Sequence, residues 1–138
     1  MRETIIDTGP LVAYLDRSDR HHGWAKEIFM RITRPLLTCE AVIAEGIFLL
    51  GRGRMDPDGL LDLIGRGLVV PEFRLMEETE SVGKLMKTYR NIPMSLADAC
   101  LVRMAEIYDH SEIMTLDSDF AIYRKSRRKV IPLLQPDR

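Results

Sequence analysis

Two kinds of apolar run alternate along the chain. Short unbroken runs read as strands: "ETII" (3–6), "PLLT" (35–38), "LVVP" (68–71), "EIMTL" (112–116) and "KVIPLL" (129–134). Between them, apolar residues recur every three or four positions. "GPLVAYLD" (9–16) predicts a helix with Pro10 at a tolerated first position. "HHGWAKEIFMRI" (21–32) places Trp24, Ile28 and Ile32 on one face. "EAVIAEGIFLLG" (40–51) predicts a helix closed by Gly51 or Gly53. "DPDGLLDLIGRG" (56–67) starts with capping residues, and 76–90 keeps a helical pattern. "SLADACLVRMAEIYDH" (95–110) has the strongest periodicity, through Leu96, Cys100, Met104 and Ile107 or Tyr108.

Strand and helix in turn imply a mainly parallel sheet covered on both faces, with right-handed crossovers. Such sheets bind ligands beyond the carboxyl ends of their strands. Asp7 follows the first strand and Asp117 follows "IMTL", so these two distant carboxylates are expected to share one edge.

Composition narrows the class without naming a chemistry. The 138 residues fit one domain, 1–138, able to bury a core. Twenty basic and 21 acidic residues give a net charge of -1, so no global basic field points to nucleic acid. The exception is "YRKSRRK" (123–129), with Arg124, Lys125, Arg127, Arg128 and Lys129 in seven positions. By itself this is a solvated connector; beside phosphate chemistry it becomes a phosphate contact. No apolar run spans a membrane, and Glu3 and Asp7 interrupt the N-terminal stretch, unlike a signal peptide. Cys39 and Cys100 lie in unrelated segments without metal-like spacing, which suits buried thiols in a reducing cytoplasm.

Two more carboxylates join the pair at the sheet edge. Glu45 sits among Val42, Ile43, Ala44, Gly46, Ile47, Phe48 and Leu49, where an ionised group is expected to need a cation or a partner. Asp98 lies in the first turn of its helix between apolar residues. Each has a local explanation. Asp7 suits a turn, Asp98 completes a capping box with Ser95, and Asp117 or Asp119 caps a short helix through 118–125. Together, four such carboxylates around one edge repel one another, and a hard divalent cation removes the conflict. Oxygen ligands without a convergent histidine indicate magnesium or manganese rather than zinc. Phosphodiester hydrolysis uses what such an ion offers.

These pieces resemble a known family. "IIDTGPLVAYLD", "TCEAVIAE", "SLADACLVRMAE" and "IMTLDSDF", in that order, resemble the PIN domain and, within it, the VapC-like ribonucleases of toxin–antitoxin pairs. The resemblance covers essentially the whole chain. It implies a PIN-like three-layer α/β/α sandwich and a metal-dependent endoribonuclease. Asp7, Glu45, Asp98 and Asp117 match the family's acidic positions, as metal ligands and catalytic groups. Thr8, Thr115 and Asp119 fall in supporting places, and Phe120 is expected to pack under the sheet edge. The implied cofactor is Mg2+ or Mn2+. The implied partners are an RNA substrate, a second copy of the chain and a small antitoxin. Next to such a site, Arg124, Lys125, Arg127 and Arg128 become candidate RNA phosphate contacts.

Other features carry less. His21 and His22 are adjacent, so they diverge on a helix and suit its start. "GRGR" (51–54) lacks the ending of a phosphate-binding loop. A magnesium-dependent phosphatase would want a second aspartate two residues after Asp7, where Gly9 stands. A non-catalytic RNA-binding or regulatory module with the same pocket is the remaining alternative.

Overall fold

Ile5 and Ile6, both fully buried, lie at the centre of a parallel sheet whose strand order sets the position of the acidic edge. The structure, a computed structural model, describes residues 2–137. The chain begins with β1 (Glu3–Ile6), α1 (Thr8–Leu15), α2 (His22–Arg31) and β2 (Leu36–Leu37). Next come α3 (Glu40–Arg52), α4 (Asp58–Gly65) and β3 (Val69–Val70). It continues through α5 (Leu75–Thr88), α6 (Leu96–Ile107), β4 (Ser111–Met114) and a 3-10 turn, Ser118–Ala121. Three two-residue strands follow: β5 (Arg124–Lys125), β6 (Lys129–Val130) and β7 (Leu133–Leu134).

The main sheet runs β3-β2-β1-β4-β7, parallel at every pairing. Among the described residues six helices flank it, so the α/β expectation holds. From β1 the chain winds outward through β2 and β3. It then returns to the other side of β1 as β4. This reversal makes the β1–β4 boundary a topological switch point, where strand-end crevices open in folds of this kind. In register, Ile6 lies opposite Met114. Asp7 and Thr115 are therefore the first residues beyond the sheet on adjacent strands.

α6 is the most deeply buried helix, with Ala97 through Val102 and then Met104 and Ala105 enclosed. α3 buries Val42, Ile43, Gly46 and Leu50 but exposes Ala44, Phe48 and Leu49. Its apolar sequence is thus apolar on both faces. The two cysteines, far apart in sequence, come close enough for their thiols to influence one another where α3 begins against α6. Both are buried, and the Cys39 thiol is pushed up by the Cys100 thiol and by burial. No helix among the described residues is long and apolar enough to cross a membrane.

Two expectations change at the C-terminal end. The strand expected over 129–134 divides. Lys129–Val130 pairs antiparallel with Arg124–Lys125 in a separate hairpin, and only Leu133–Leu134 joins the main sheet. Pro132 lies between them, without an N–H to continue a ladder. Its carbonyl instead accepts from the Ile113 N–H at 2.9 Å. The helix expected over 118–125 stops at Ala121, where the Arg124 guanidinium folds back onto the carbonyls of Ala121, Ile122 and Tyr123.

Two bonds clamp the exit of β1. The Asp7 N–H donates to the Met114 carbonyl at 2.9 Å. On the other side, the fully buried Thr38 hydroxyl donates to the Ile6 carbonyl at 2.8 Å. Thr38→Val keeps the shape and removes that donor. Urea unfolding is expected to show a loss of about 1–2 kcal/mol with an unchanged slope.

Candidate active site

Asp7 ends β1 and caps α1. Its Oδ1 accepts from the Thr8 N–H at 2.7 Å, and its Oδ2 accepts from the Thr115 hydroxyl at 2.7 Å. The residue is only 8% exposed. Burial is the largest influence on its carboxylate, and the nearby charges of Asp98 and Glu45 add to that. The two hydrogen bonds oppose these effects, yet the group is still pushed up to about 6.

Asp98 reaches the same edge from the start of α6. Ser95 and Asp98 form the reciprocal capping box expected from "SLAD". The Asp98 Oδ2 also accepts from the Tyr123 hydroxyl at 3.2 Å. Its acidity is weakened, first by burial and then by the charge of Asp117, against the pull of its hydrogen bonds. Asp117 caps the 3-10 turn through the Asp119 N–H at 2.9 Å, and its own N–H donates to Thr115 Oγ1 at 3.0 Å. Thr115 therefore bridges Asp7 and Asp117.

Glu45 differs from the expectation. It projects from the exposed face of α3 and is not buried among the apolar residues beside it in sequence. It is still close enough for its charge to act on Asp7. The electrostatic neighbours form a line: Glu45 with Asp7, Asp7 with Asp98, and Asp98 with Asp117.

The donor set is all oxygen and mutually repulsive, which fits a hard cation. Among the described residues the Thr8 hydroxyl, buried beside Asp7, finds no hydrogen-bond partner, so another polar atom stands ready there. Among the described residues, no three His, Cys, Asp or Glu side chains form a closed ligand cluster. Carboxylates meeting in pairs still suit magnesium, which is commonly held by one or two carboxylates with water completing its shell. Asp7, Asp98 and Asp117 could hold it directly or through water.

Tyr123 and Thr38 escape a reading of the sequence. Tyr123 is fully buried, stands edge-on to Phe120 and Tyr89, and supports Asp98. The signal for it is the Phe120–Tyr123 spacing, hidden at the head of a run that draws attention by its charge. Phe120 is buried under the edge as expected. Within the run, Arg124 is engaged with carbonyls. Lys125 is 7% exposed, with its Nζ donating to the Asp109 carbonyl at 3.2 Å. Arg127 and Arg128 are exposed. His21 stands at the N-cap position of α2 without a side-chain capping bond, and His22 begins the helix; the His22 Nδ1 donates to the Ala13 carbonyl at 2.8 Å.

A central parallel sheet with acidic side chains at its β1–β4 switch point defines an α/β protein with a candidate cation-binding edge. The PIN domain family model matches residues 4–126, and the chain belongs to that family. A relative from Mycobacterium tuberculosis, Ribonuclease VapC26, is 29% identical over 117 residues, which is 82% of this chain and 85% of the relative. The crystal structure of Mycobacterium tuberculosis VapC20, titled a Sarcin-Ricin loop cleaving toxin, superposes with a TM-score of 0.74 at 19% identity. That match covers 94% of this chain and 100% of the other, and it shows the shared fold.

The raised Asp7 has a signed consequence for stability. Below its ordinary value of 3.8, folded and unfolded chains both carry the proton. As pH rises towards about 6, the unfolded chain releases it first, and native stability falls. Above that, the loss levels off at roughly 3 kcal/mol, because each tenfold change in acidity is worth about 1.36 kcal/mol. Urea unfolding in EDTA across this window is expected to show a decline that is steeper in the wild type than in Asp7→Asn. Parallel curves would sink the assignment of that decline to Asp7.

Proposed function

We propose that the chain is a metal-dependent endoribonuclease of the VapC kind, the toxin of a toxin–antitoxin pair. The observation that carries this reading is geometric: Thr115 ties Asp7 to Asp117 at the switch-point edge, and Asp98 from α6 and Glu45 from α3 lie close enough for their charges to act along it. The family membership and the similarity to Ribonuclease VapC26 support the same substrate class.

Asp7, Asp98 and Asp117 are the residues that would hold Mg2+ or Mn2+, with Thr8, Thr115 and Asp119 supporting them. When bound, such an ion acts as a Lewis acid toward a phosphate oxygen and helps supply a nucleophilic water. The chain's own residues do the rest. Thr115 keeps Asp7 and Asp117 in fixed relation through two hydrogen bonds. Tyr123 and Ser95 hold the Asp98 carboxylate in one orientation. Glu45, exposed at the rim, is free to accept a proton from the attacking water. Phe48 and Leu61 expose their apolar side chains on α3 and α4, which supports a protein partner, an antitoxin or a second copy.

Purified protein, freed of partners, is expected to cleave labelled RNA in magnesium or manganese and not in EDTA. Asp98→Asn should abolish cleavage. If wild type and variant are equally inactive on structured and single-stranded pools, and calorimetry detects no manganese binding, the reading is wrong. Tyr123→Phe tests the support of Asp98. It should lower activity roughly 10-fold or more, the usual effect of losing a partner to a ligand. Manganese affinity should weaken alongside, a change that a purely structural role of the hydroxyl would not produce.

A further inference from the structure

A nuclease of this design has an electrostatic problem: its edge carries four carboxylates, its net charge is -1, and its substrate is a polyanion. Affinity for RNA has to come from somewhere else on the surface. A cleft of about 570 Å³ lies between α5, α6 and the β5–β6 hairpin. Its lining includes Lys84 and Lys87 from α5 and Arg124 and Arg127 from the hairpin.

Its charges are unevenly matched. Glu106 is the one acidic residue in the lining, and it is already occupied. It accepts from Arg103 at 3.2 Å through Oε1 and from the Ser126 N–H at 2.6 Å through Oε2. Lys84 meets Glu80 at 3.4 Å, an exposed pair of small worth. Among the described residues, Lys87 and Arg127 form no ion pair.

The hairpin that presents Arg127 is strained. Ser126 and Arg127 lie at φ 49° and 73°, in the left-handed region that non-glycine residues seldom occupy. The Glu106 bond to the Ser126 N–H holds the turn in that form. The rest of the lining includes Leu85 and Tyr89, both half-buried and apolar in body. Cations around an apolar and aromatic surface suit the backbone and bases of a single-stranded polynucleotide.

We infer that this cleft is a second RNA-binding site, in which Lys87 and Arg127, with Lys84, hold phosphates of a single-stranded segment outside the carboxylate edge. The inference rests on the ribonuclease reading for its choice of ligand. It adds to that reading the two α5 lysines, which the charge run in the sequence does not include. Tyr89 connects the two places: its hydroxyl accepts from the Arg124 N–H at 2.9 Å, and its ring meets the edge of Tyr123, which holds Asp98.

The test is binding, measured in EDTA so that cleavage plays no part. Fluorescence anisotropy follows a labelled single-stranded oligoribonucleotide over a range of salt concentrations. The paired reversal Lys87→Glu with Arg127→Glu should weaken binding and reduce the slope of log K against log salt by about 1.4, from about 0.7 per lost phosphate contact. Lys87→Gln with Arg127→Gln removes the same two contacts and should lower the slope by a similar amount, about 1.4, while weakening binding less than the reversal. Lys26→Glu with Arg54→Glu makes the same change in net charge on α2 and after α3, and should move the slope less. Equal effects from the control pair, an unchanged slope in the cleft variants, or no RNA binding by the wild type would overturn the inference. So would competition by polyglutamate as effective as that by unlabelled RNA, which would assign the cleft to an acidic peptide. Failure of the ribonuclease reading appears separately, as wild-type protein that binds RNA with the expected slope but cleaves none in magnesium or manganese.

Discussion

The hydrogen bond from the Thr115 hydroxyl to Asp7 is the contact on which the acidic edge depends. It joins the ends of two parallel strands that are 108 residues apart in sequence. The partners are almost fully enclosed, so breaking it would leave a carboxylate oxygen buried without a donor. The same threonine oxygen accepts the Asp117 N–H, so a single side chain sets the spacing of two acidic residues. Thr38 and the Met114 carbonyl hold the Ile6–Asp7 link from either side. The position of Asp7 is thus fixed by the strand pairing of β1 with β2 and β4, the most buried part of the sheet.

The repulsion between these carboxylates is offset locally. Asp7 caps α1, Asp98 closes the capping box of α6, and Asp117 caps the 3-10 turn. Two helix N-termini and a turn therefore aim N–H groups at the edge, and partial positive charge at those ends favours the ionised form. The capping and catalytic readings of these aspartates are consequently compatible. The cap supplies the hydrogen bonds that make a buried carboxylate tolerable, and burial weakens the acidity of Asp7. Glu45 has no such duty. It stands mid-helix on an exposed face, and its closeness to Asp7 is what connects it to the group.

The strands are legible in the sequence because even two-residue pairings such as Leu36–Leu37 and Val69–Val70 sit in short apolar runs bounded by breakers. Asp98 is legible because its cap is a local pattern. The exposure of Glu45 is not, because apolar neighbours in sequence need not be apolar surroundings in space. On α3 those neighbours include Phe48 and Leu49, which face outward. The thiol contact of Cys39 with Cys100, and the Tyr123 bond to Asp98, arise only when α6 packs against distant elements. No local pattern encodes them. The charge run shows the same limit: adjacent cations look equivalent in sequence, yet Lys125 is buried on a carbonyl while Arg127 lines a cleft.

That division of the run follows from the alternation of a strand. Around β5, Tyr123 and Lys125 turn inward and Arg124 lies between them, half-buried. Tyr123 has to point inward to reach Asp98. Lys125, two residues on, is then carried inward as well, and its ammonium needs the Asp109 carbonyl as an acceptor. Arg124 is left on the other side, against the turn carbonyls and the cleft. The inward position of one tyrosine therefore decides which cations of the run are committed to structure and which stay at the surface. This also explains why a buried lysine is retained so close to the site: the register that supports Asp98 places it there.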